Sequence, residues 1–350
     1  MSTAAPTVGH PRPDVAPLRG PAAVRLAWLG ITLACLALLC MASVAFGVRS
    51  VGAGDILAAL GGDATGVDRA AVVARLPRTV LAVVVGAALG MSGASMQAVT
   101  RNPLADPGIL GVSSGAAFAV VVGIAFFGMS DPRAYMVVAI LGAAGAATFV
   151  YTVGSLGDGG ATPLKLALAG AAISAAFTSL TSAVLLPRVD IMETFRFWQI
   201  GGVGGATWER TAQVAPVLGV GALICLAAAR GMNSLALGDD MAASLGEDVA
   251  RTRLIASAGA VILCGAATAV AGPIGFVGLV VPHLCRLLIG TDHRWLLPFS
   301  AVAGSCLLVA ADIVGRLVAR PSEVEVGIVT AVIGAPFFIW IVRRQKVREL

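Results

Sequence analysis

The chain has 350 residues, of which 58% are hydrophobic and only 12% charged, with a mean hydropathy of +0.91 and a formal charge of +5. A water-soluble domain carries about 25% charged residues, so the composition excludes one, and the apolar residues fall in blocks near the roughly 20 needed to cross a bilayer core. The positive excess is scattered through the polar links, dense only at Arg343–Arg348, so it is no nucleic-acid footprint.

Residues 1–24 hold five prolines and few apolar side chains, which predicts a disordered tail. About ten candidate spans follow: 25–47, 78–100, 108–128, 134–157, 164–187, 208–230, 252–271, 274–290, 296–317 and 324–342. The first is too long for a signal-peptide core. Lipid admits only helices or closed barrels, and these blocks are continuous rather than alternating, so they read as helices. An even number of spans puts both termini on one side. Arg12, Arg19 and Arg25 then share the cytoplasm with the basic stretch Arg343–Arg348, as the positive-inside rule favours. The fold class is all-α and polytopic, with a permease-sized domain over 25–345.

Small residues pattern the spans. Gly86-xxx-Gly90 and Gly111-xxx-Gly115 allow close helix contact, although with 43 glycines such spacings also arise by chance. The six cysteines, at 35, 40, 225, 264, 285 and 306, lie inside spans without CxxC spacing and read as small apolar fillers.

Four features carry possible chemistry. The link Arg101-Asn102-Pro103-Leu104-Ala105-Asp106-Pro107-Gly108-Ile109-Leu110-Gly111 is punctuated by prolines that no helix interior tolerates. The stretch 234–250 is too short and charged to span. In it Leu237, Met241 and Leu245 form one apolar stripe, Asp239 and Asp240 fall in a first helical turn, and Gly246 suits a C-terminal cap before Glu247. This is either an ordinary surface hairpin or a docking element. Arg75 and Arg78 precede the second span and Arg316 closes the ninth, four residues after Asp312. They are either snorkelling and i,i+4-paired side chains or a surface for a partner. In the fifth span Ser174, Thr178 and Thr181 share one face, with Ser182 beside them. Their hydroxyls either bond the preceding turn or line a path. The stretch 188–207, with Trp198 and a glycine cluster, predicts a short helix and a flexible return at one membrane surface. His283 and His293 have no metal-ligand spacing around them.

Several of these motifs closely resemble the FecCD family, the membrane permeases of ABC importers for iron-siderophores, haem and vitamin B12. The Asn102–Gly108 turn matches that family's Asn-Pro-Leu-Ala-(Asp/Glu)-Pro-Gly. Gly278–Arg286 and Asp292-His293-Arg294 match its Pro-His-x-x-Arg and Asp-His-Arg runs, and Gly327–Phe338 matches a further one. The resemblance spans about residues 30–345 and implies a BtuC-like permease fold of about ten transmembrane helices in a bacterial cell membrane.

By that resemblance the subunit pairs as a homodimer or with a second permease. Two cytoplasmic ABC ATPase subunits grip coupling helices at about 234–250, involving Leu235, Leu237, Gly238, Asp239, Asp240, Met241, Ala242, Leu245, Gly246 and Glu247. An extracytoplasmic substrate-binding protein docks on Arg75, Arg78 and Arg316. Asn102 and Leu104 form a cytoplasmic gate, and Ser174, Thr178, Thr181 and Ser182 line the path. The loop Ala161-Thr162-Pro163-Leu164 departs from the family's polar version, so no gate residue is assigned there. No cofactor, resident metal or catalytic residue is expected. No Gly-Lys pair occurs, so the chain has no Walker A loop of its own. An ion-coupled transporter would need ionisable side chains at mid-span, where almost none occur.

Overall fold

The computed structural model describes residues 22–49, 51–63, 65–129, 131–156 and 162–346. The expected tail up to residue 21, Ala161 and the last four residues lie outside them. Thirteen helices run in chain order: α1 (Ala22–Ala45), α2 (Ala53–Leu60), α3 (Val67–Thr100), α4 (Val112–Phe127), α5 (Pro132–Ser155), α6 (Pro163–Leu185), α7 (Val189–Ile200), α8 (Trp208–Leu235), α9 (Asp239–Ser244), α10 (Val249–Ala271), α11 (Val277–Ile289), α12 (His293–Val318) and α13 (Val326–Lys346). A single 3-10 turn, Pro107–Leu110, leads into α4. Among the described residues α1, α3, α5, α6, α8, α10 and α12 are long and apolar enough to cross a membrane. The apolar helices α4, α11 and the Val326–Trp340 part of α13 are shorter.

These ten helices overlap the ten expected spans, with most ends shifted by a few residues (α8 runs to Leu235 rather than 230) and two starts of note. The first helix starts at Ala22, inside the stretch read as tail, and α3 starts at Val67 rather than 78. Hydropathy marks where polar residues stop, but a helix continues through Asp68, Arg69, Arg75 and Arg78 because its backbone bonds do not depend on lipid. The helix α7 occupies the expected short element at 188–207, whereas α2 was not anticipated.

The bundle is organised around α3, which is buried almost without interruption from Leu81 to Thr100 and packs against α8, α10, α11 and α12. Its most extensive contact is with α12. A Cβ at Gly86 would lie 2.5 Å from the Gly304 carbonyl oxygen, and one at Gly304 only 2.2 Å from that of Gly86. Side-chain hydroxyls stitch the same contacts. Ser305 Oγ donates to the Val83 carbonyl at 2.7 Å, and Ser92 Oγ donates to the Ala260 carbonyl of α10 at 2.6 Å. Without a hydrophobic drive between helices in lipid, such close approach and hydrogen bonding hold the bundle together. Gly90 packs at the same crossing, against Ser300. Gly111, by contrast, turns the chain into α4 with φ +71°.

Helix α11 has 13 residues and is therefore only about 20 Å long, short of the roughly 30 Å of a hydrocarbon core. Its first turn sits against Gly93 and Gln97 of α3, and Gln97 Nε2 donates to the Gly278 carbonyl at 3.1 Å. The irregular link 272–276 follows α10, whose last carbonyl, Ala271, accepts from the Gly202 N–H at 2.7 Å; Gly272 packs on the end of α7 and Phe276 against Gly334 of α13, while Gly275 is exposed.

Candidate functional site

One end of the bundle presents α9. The chain leaves α8 at a fully buried Leu235, turns at Gly238 (φ +104°) and starts α9 with Asp239. Both carboxylate oxygens of Asp239 accept from Arg253 Nη2 of α10, at 2.8 and 3.0 Å, and Arg101 at the end of α3 approaches to 3.3 Å. This clamp fixes a helix of six residues, far too short to be stable alone. The helix ends in a Schellman motif: Gly246 (φ +83°) donates to the Ala243 carbonyl at 2.9 Å and Glu247 to that of Ala242 at 3.0 Å. Glu247 then accepts a hydrogen bond from Thr252 Oγ1.

Of the expected helix stripe only Met241 lies within α9, since Leu237 precedes the Gly238 turn and Leu245 closes the helix, but all three side chains are exposed. Leu237, Met241 and Leu245 are 61%, 56% and 64% exposed. Leu235 and Ala242, grouped with them on sequence, are both fully buried and face inward, so they position the element without forming its surface.

The link from α3 to α4 lies at the same end. Arg101 adopts a left-handed conformation (φ 50°). Asn102 Oδ1 accepts from the Leu104 N–H at 2.9 Å, and Asp106 Oδ1 accepts from the Gly108 N–H at 2.8 Å and caps the 3-10 turn. Asn102 is exposed and Leu104 half-buried. Each polar residue of the motif thus tightens its own turn.

On α6, Thr178 donates to the Ser174 carbonyl at 2.8 Å and Ser182 to that of Thr178 at 3.0 Å. Thr178 and Ser182 are exposed on a face that no described helix covers. Thr181 departs from this pattern. It is buried, and its hydroxyl has no partner among the described residues, so the open row is Ser174, Thr178 and Ser182.

The other end of the bundle holds the arginines, and here the structure differs most from the expectation of a free rim. Arg316 is 2% exposed and Arg75 7%. Arg75 Nη1 donates to the Val44 and Ala45 carbonyls at 2.9 and 3.0 Å, and Nη2 to that of Arg49 at 2.7 Å. Arg316 Nη1 donates to the Ser43 and Phe46 carbonyls at 3.0 Å each, and Arg320 reaches the Gly47 carbonyl. These are the orphan carbonyls at and just beyond the C-terminus of α1, so three guanidinium groups cap one helix end. Gly47 makes the room, since a Cβ there would lie 2.5 Å from Arg75 Nη2.

Beneath them Asp312, fully buried, faces Arg316 Nη2 and Arg78 Nη2 at 2.8 Å each. Arg78 continues outward to Glu323 at 2.7 Å. Burial holds the neighbouring Glu325 carboxyl above its ordinary range; Arg78 opposes this, while Glu323 and Asp312 add to it. The i,i+4 pair is therefore real, and only Arg78 of the expected trio opens toward the surface, through a half-exposed Glu323.

Arg253, Arg320 and Glu323 position these two ends and were not singled out from the sequence, and Arg101, named there as the first residue of the proline-punctuated link, was given no role at α9. No local spacing links 239 to 253 and 101, or 78 to 323. The one available signal was a basic residue near each acidic helix start.

The comparisons with known proteins agree with this architecture. The FecCD transport family model matches residues 35–344. The chain is 45% identical over 305 residues to the ferric enterobactin transport system permease protein FepD of Escherichia coli, covering 87% of this chain and 91% of that protein. It is 42% identical over 277 residues to the hemin transport system permease protein HmuU of Yersinia pestis, covering 78% and 82%. A solved structure described as an inward-facing conformation of a metal-chelate type ABC transporter superposes with a TM-score of 0.79 at 29% identity, covering 91% of this chain and 99% of that one. The chain belongs to the FecCD transport family and is a multi-pass membrane permease subunit of the ABC importers for metal chelates.

Proposed function

We propose that the chain carries an iron–siderophore chelate inward, as half of a permease dimer formed with itself or with a second permease. Two cytoplasmic ATPase subunits bind the α9 ends and hydrolyse ATP. A substrate-binding protein delivers cargo at the opposite end, and both termini lie in the cytoplasm. The observation that carries this reading is the set Leu237, Met241 and Leu245: three large apolar side chains, all more than half exposed, on α9 and the turns that flank it, an element clamped by Arg253 and Arg101. An exposed apolar patch on a rigid polar-rimmed element is the signature of a protein partner. ATP binding in that partner biases the bundle between two states only through contacts that differ between them.

In this reading Gly238, Asp239, Asp240, Gly246 and Glu247 shape and frame the docking element. Asn102 and Leu104 gate the inner mouth beside it. The hydroxyl row on α6 lines the path at the dimer axis, with Thr181 at its edge. The binding protein meets the outer end chiefly through Arg78, its acidic side chains replacing Glu323, while Arg75 and Arg316 hold the ledge on which Arg78 stands. Arg suits the contact because its planar fork accepts a carboxylate bidentately.

Cargo is tested by deleting the gene and measuring uptake of labelled iron from ferric siderophores, hemin and cobalamin in parallel. Loss confined to ferric siderophores is expected. Loss of hemin or cobalamin uptake instead would assign the second reading, which the similarity to a hemin permease keeps open.

A further inference from the structure

A cavity of about 370 Å³ opens between α1, α11 and α12 at the α9 end of the bundle. It falls in the range of about 300–1,000 Å³ typical of small-molecule sites. Two arginines, Arg25 and Arg294, stand at its polar side, with Trp295 beside them. Leu29, Pro298 and Phe299 form its apolar wall. Its place at this end is fixed by Asn233, at the end of α8. Asn233 Nδ2 donates to Asp292 Oδ1 at 2.7 Å, and Asn233 Oδ1 accepts from the His293 N–H at 2.8 Å.

Arg25 is the unusual member. It is 7% exposed, and its Nε has no hydrogen-bond partner among the described residues. The one acid near it, Asp292, is 3.8 Å from Nη1 and is already engaged. Asp292 accepts from Asn233 Nδ2 and the Arg294 N–H. Burial acts against its charge, but those donors and the nearby Arg294 and Arg25 hold its carboxyl below the ordinary range. A guanidinium nine-tenths buried with an idle N–H is costly unless something supplies the acceptor. Two arginines against one shared carboxylate leave the cavity short of negative charge.

We infer that this cavity binds the phosphate of an anionic phospholipid, with Arg25 and Arg294 on the headgroup and an acyl chain along Leu29, Pro298 and Phe299. Position decides the occupant. The cavity lies at the end of three apolar helices, where a headgroup phosphate, a Trp and snorkelling arginines share one depth, and basic clefts between membrane helices suit anionic headgroups. The proposal relies on the α9 end being the inner face only for the leaflet that supplies the lipid.

The test is native mass spectrometry of the full-length permease in non-ionic detergent with phosphatidylglycerol or phosphatidylcholine added. The wild type should retain phosphatidylglycerol preferentially, each arginine contributing about fivefold. Arg25→Gln with Arg294→Gln should abolish the preference. Leu29→Trp, which fills the apolar wall and leaves both arginines in place, should lower retention of both lipids. Asp292→Asn, which keeps a capping oxygen but removes the competing charge, should raise phosphatidylglycerol retention. Equal retention of both lipids by the wild type, displacement of the lipid by millimolar inorganic phosphate, an undiminished preference in the arginine variant, or undiminished retention of both lipids in the Leu29 variant would overturn the proposal. Co-purification of the ATPase from the same preparations reports on the transport reading separately.

Discussion

The two ends of the bundle carry features that look alike in sequence and differ in structure. At one end Leu237, Met241 and Leu245 stand exposed on and beside a short clamped helix. At the other, Arg75 and Arg316 are almost wholly buried and spend their donors on the carbonyls closing α1. Exposed apolar side chains grouped on a fixed polar element leave a surface that a partner can cover. A charged residue that has met its own chain's carbonyls and carboxylate leaves none. In the proposed reading the α9 end meets a partner, whereas the arginine end is first a structural joint, in which Arg78 of the three expected arginines reaches outward.

Substitutions should separate the ends by what they break. The largest effect is expected at the joint. Arg316→Glu places a second carboxylate against Asp312 and uncaps α1, and breaking a buried pair costs about 3–5 kcal/mol. It should collapse the yield of monodisperse protein in fluorescence-detected size exclusion, whereas a rim-only role for Arg316 would leave folding intact and slow delivery alone.

Next comes Leu245→Arg at the free end. It should leave the melting temperature near that of the wild type yet weaken ATPase attachment by about tenfold or more, as loss of an apolar anchor does. Normal ATPase co-purification would show that the stripe is not the contact. Asp239→Ala should do less, since it loosens the clamp and keeps the stripe. A threefold to tenfold weaker attachment corresponds to about 1 kcal/mol for a half-exposed ion pair, and local hydrogen exchange over 236–247 should rise.

The smallest effect concerns Glu325. Its folded pKa is raised, so ionisation costs stability as pH climbs from the unfolded value near 4.3 through the folded one. Glu325→Gln should match the wild type at the acid end and become the more stable of the two as pH rises. A gap that shrinks with pH would contradict the assignment.

The lipid-spanning helices were legible because each must be continuously apolar, and that signal survives without knowledge of neighbours. The start of α3 was not, because its polar first turns at Asp68 and Arg69 stand outside the apolar signal. The exposed apolar residues around α9 were legible as Leu237, Met241 and Leu245 four apart, but the helix holds only Met241, because the chain turns at Gly238 and the helix ends at Ser244, and the inward turn of Leu235 and Ala242 depends on where α8 and α10 lie. The arginine joint was illegible in the main. Apart from the Ser43 hydroxyl, which accepts from Arg316 Nη2, residues 43–49 offer backbone oxygens to Arg75, Arg316 and Arg320, and a carbonyl leaves no mark in a sequence. The Asp312–Arg316 pair was the part that did.

The central claim is that this permease moves its cargo only when a separate ATPase grips α9. The direct test is uptake of a ferric siderophore into proteoliposomes holding the permease, its ATPase and the loaded binding protein. The account predicts uptake that requires ATP and the ATPase and is lost in Leu245→Arg. Uptake by the permease alone on an ion gradient would contradict it.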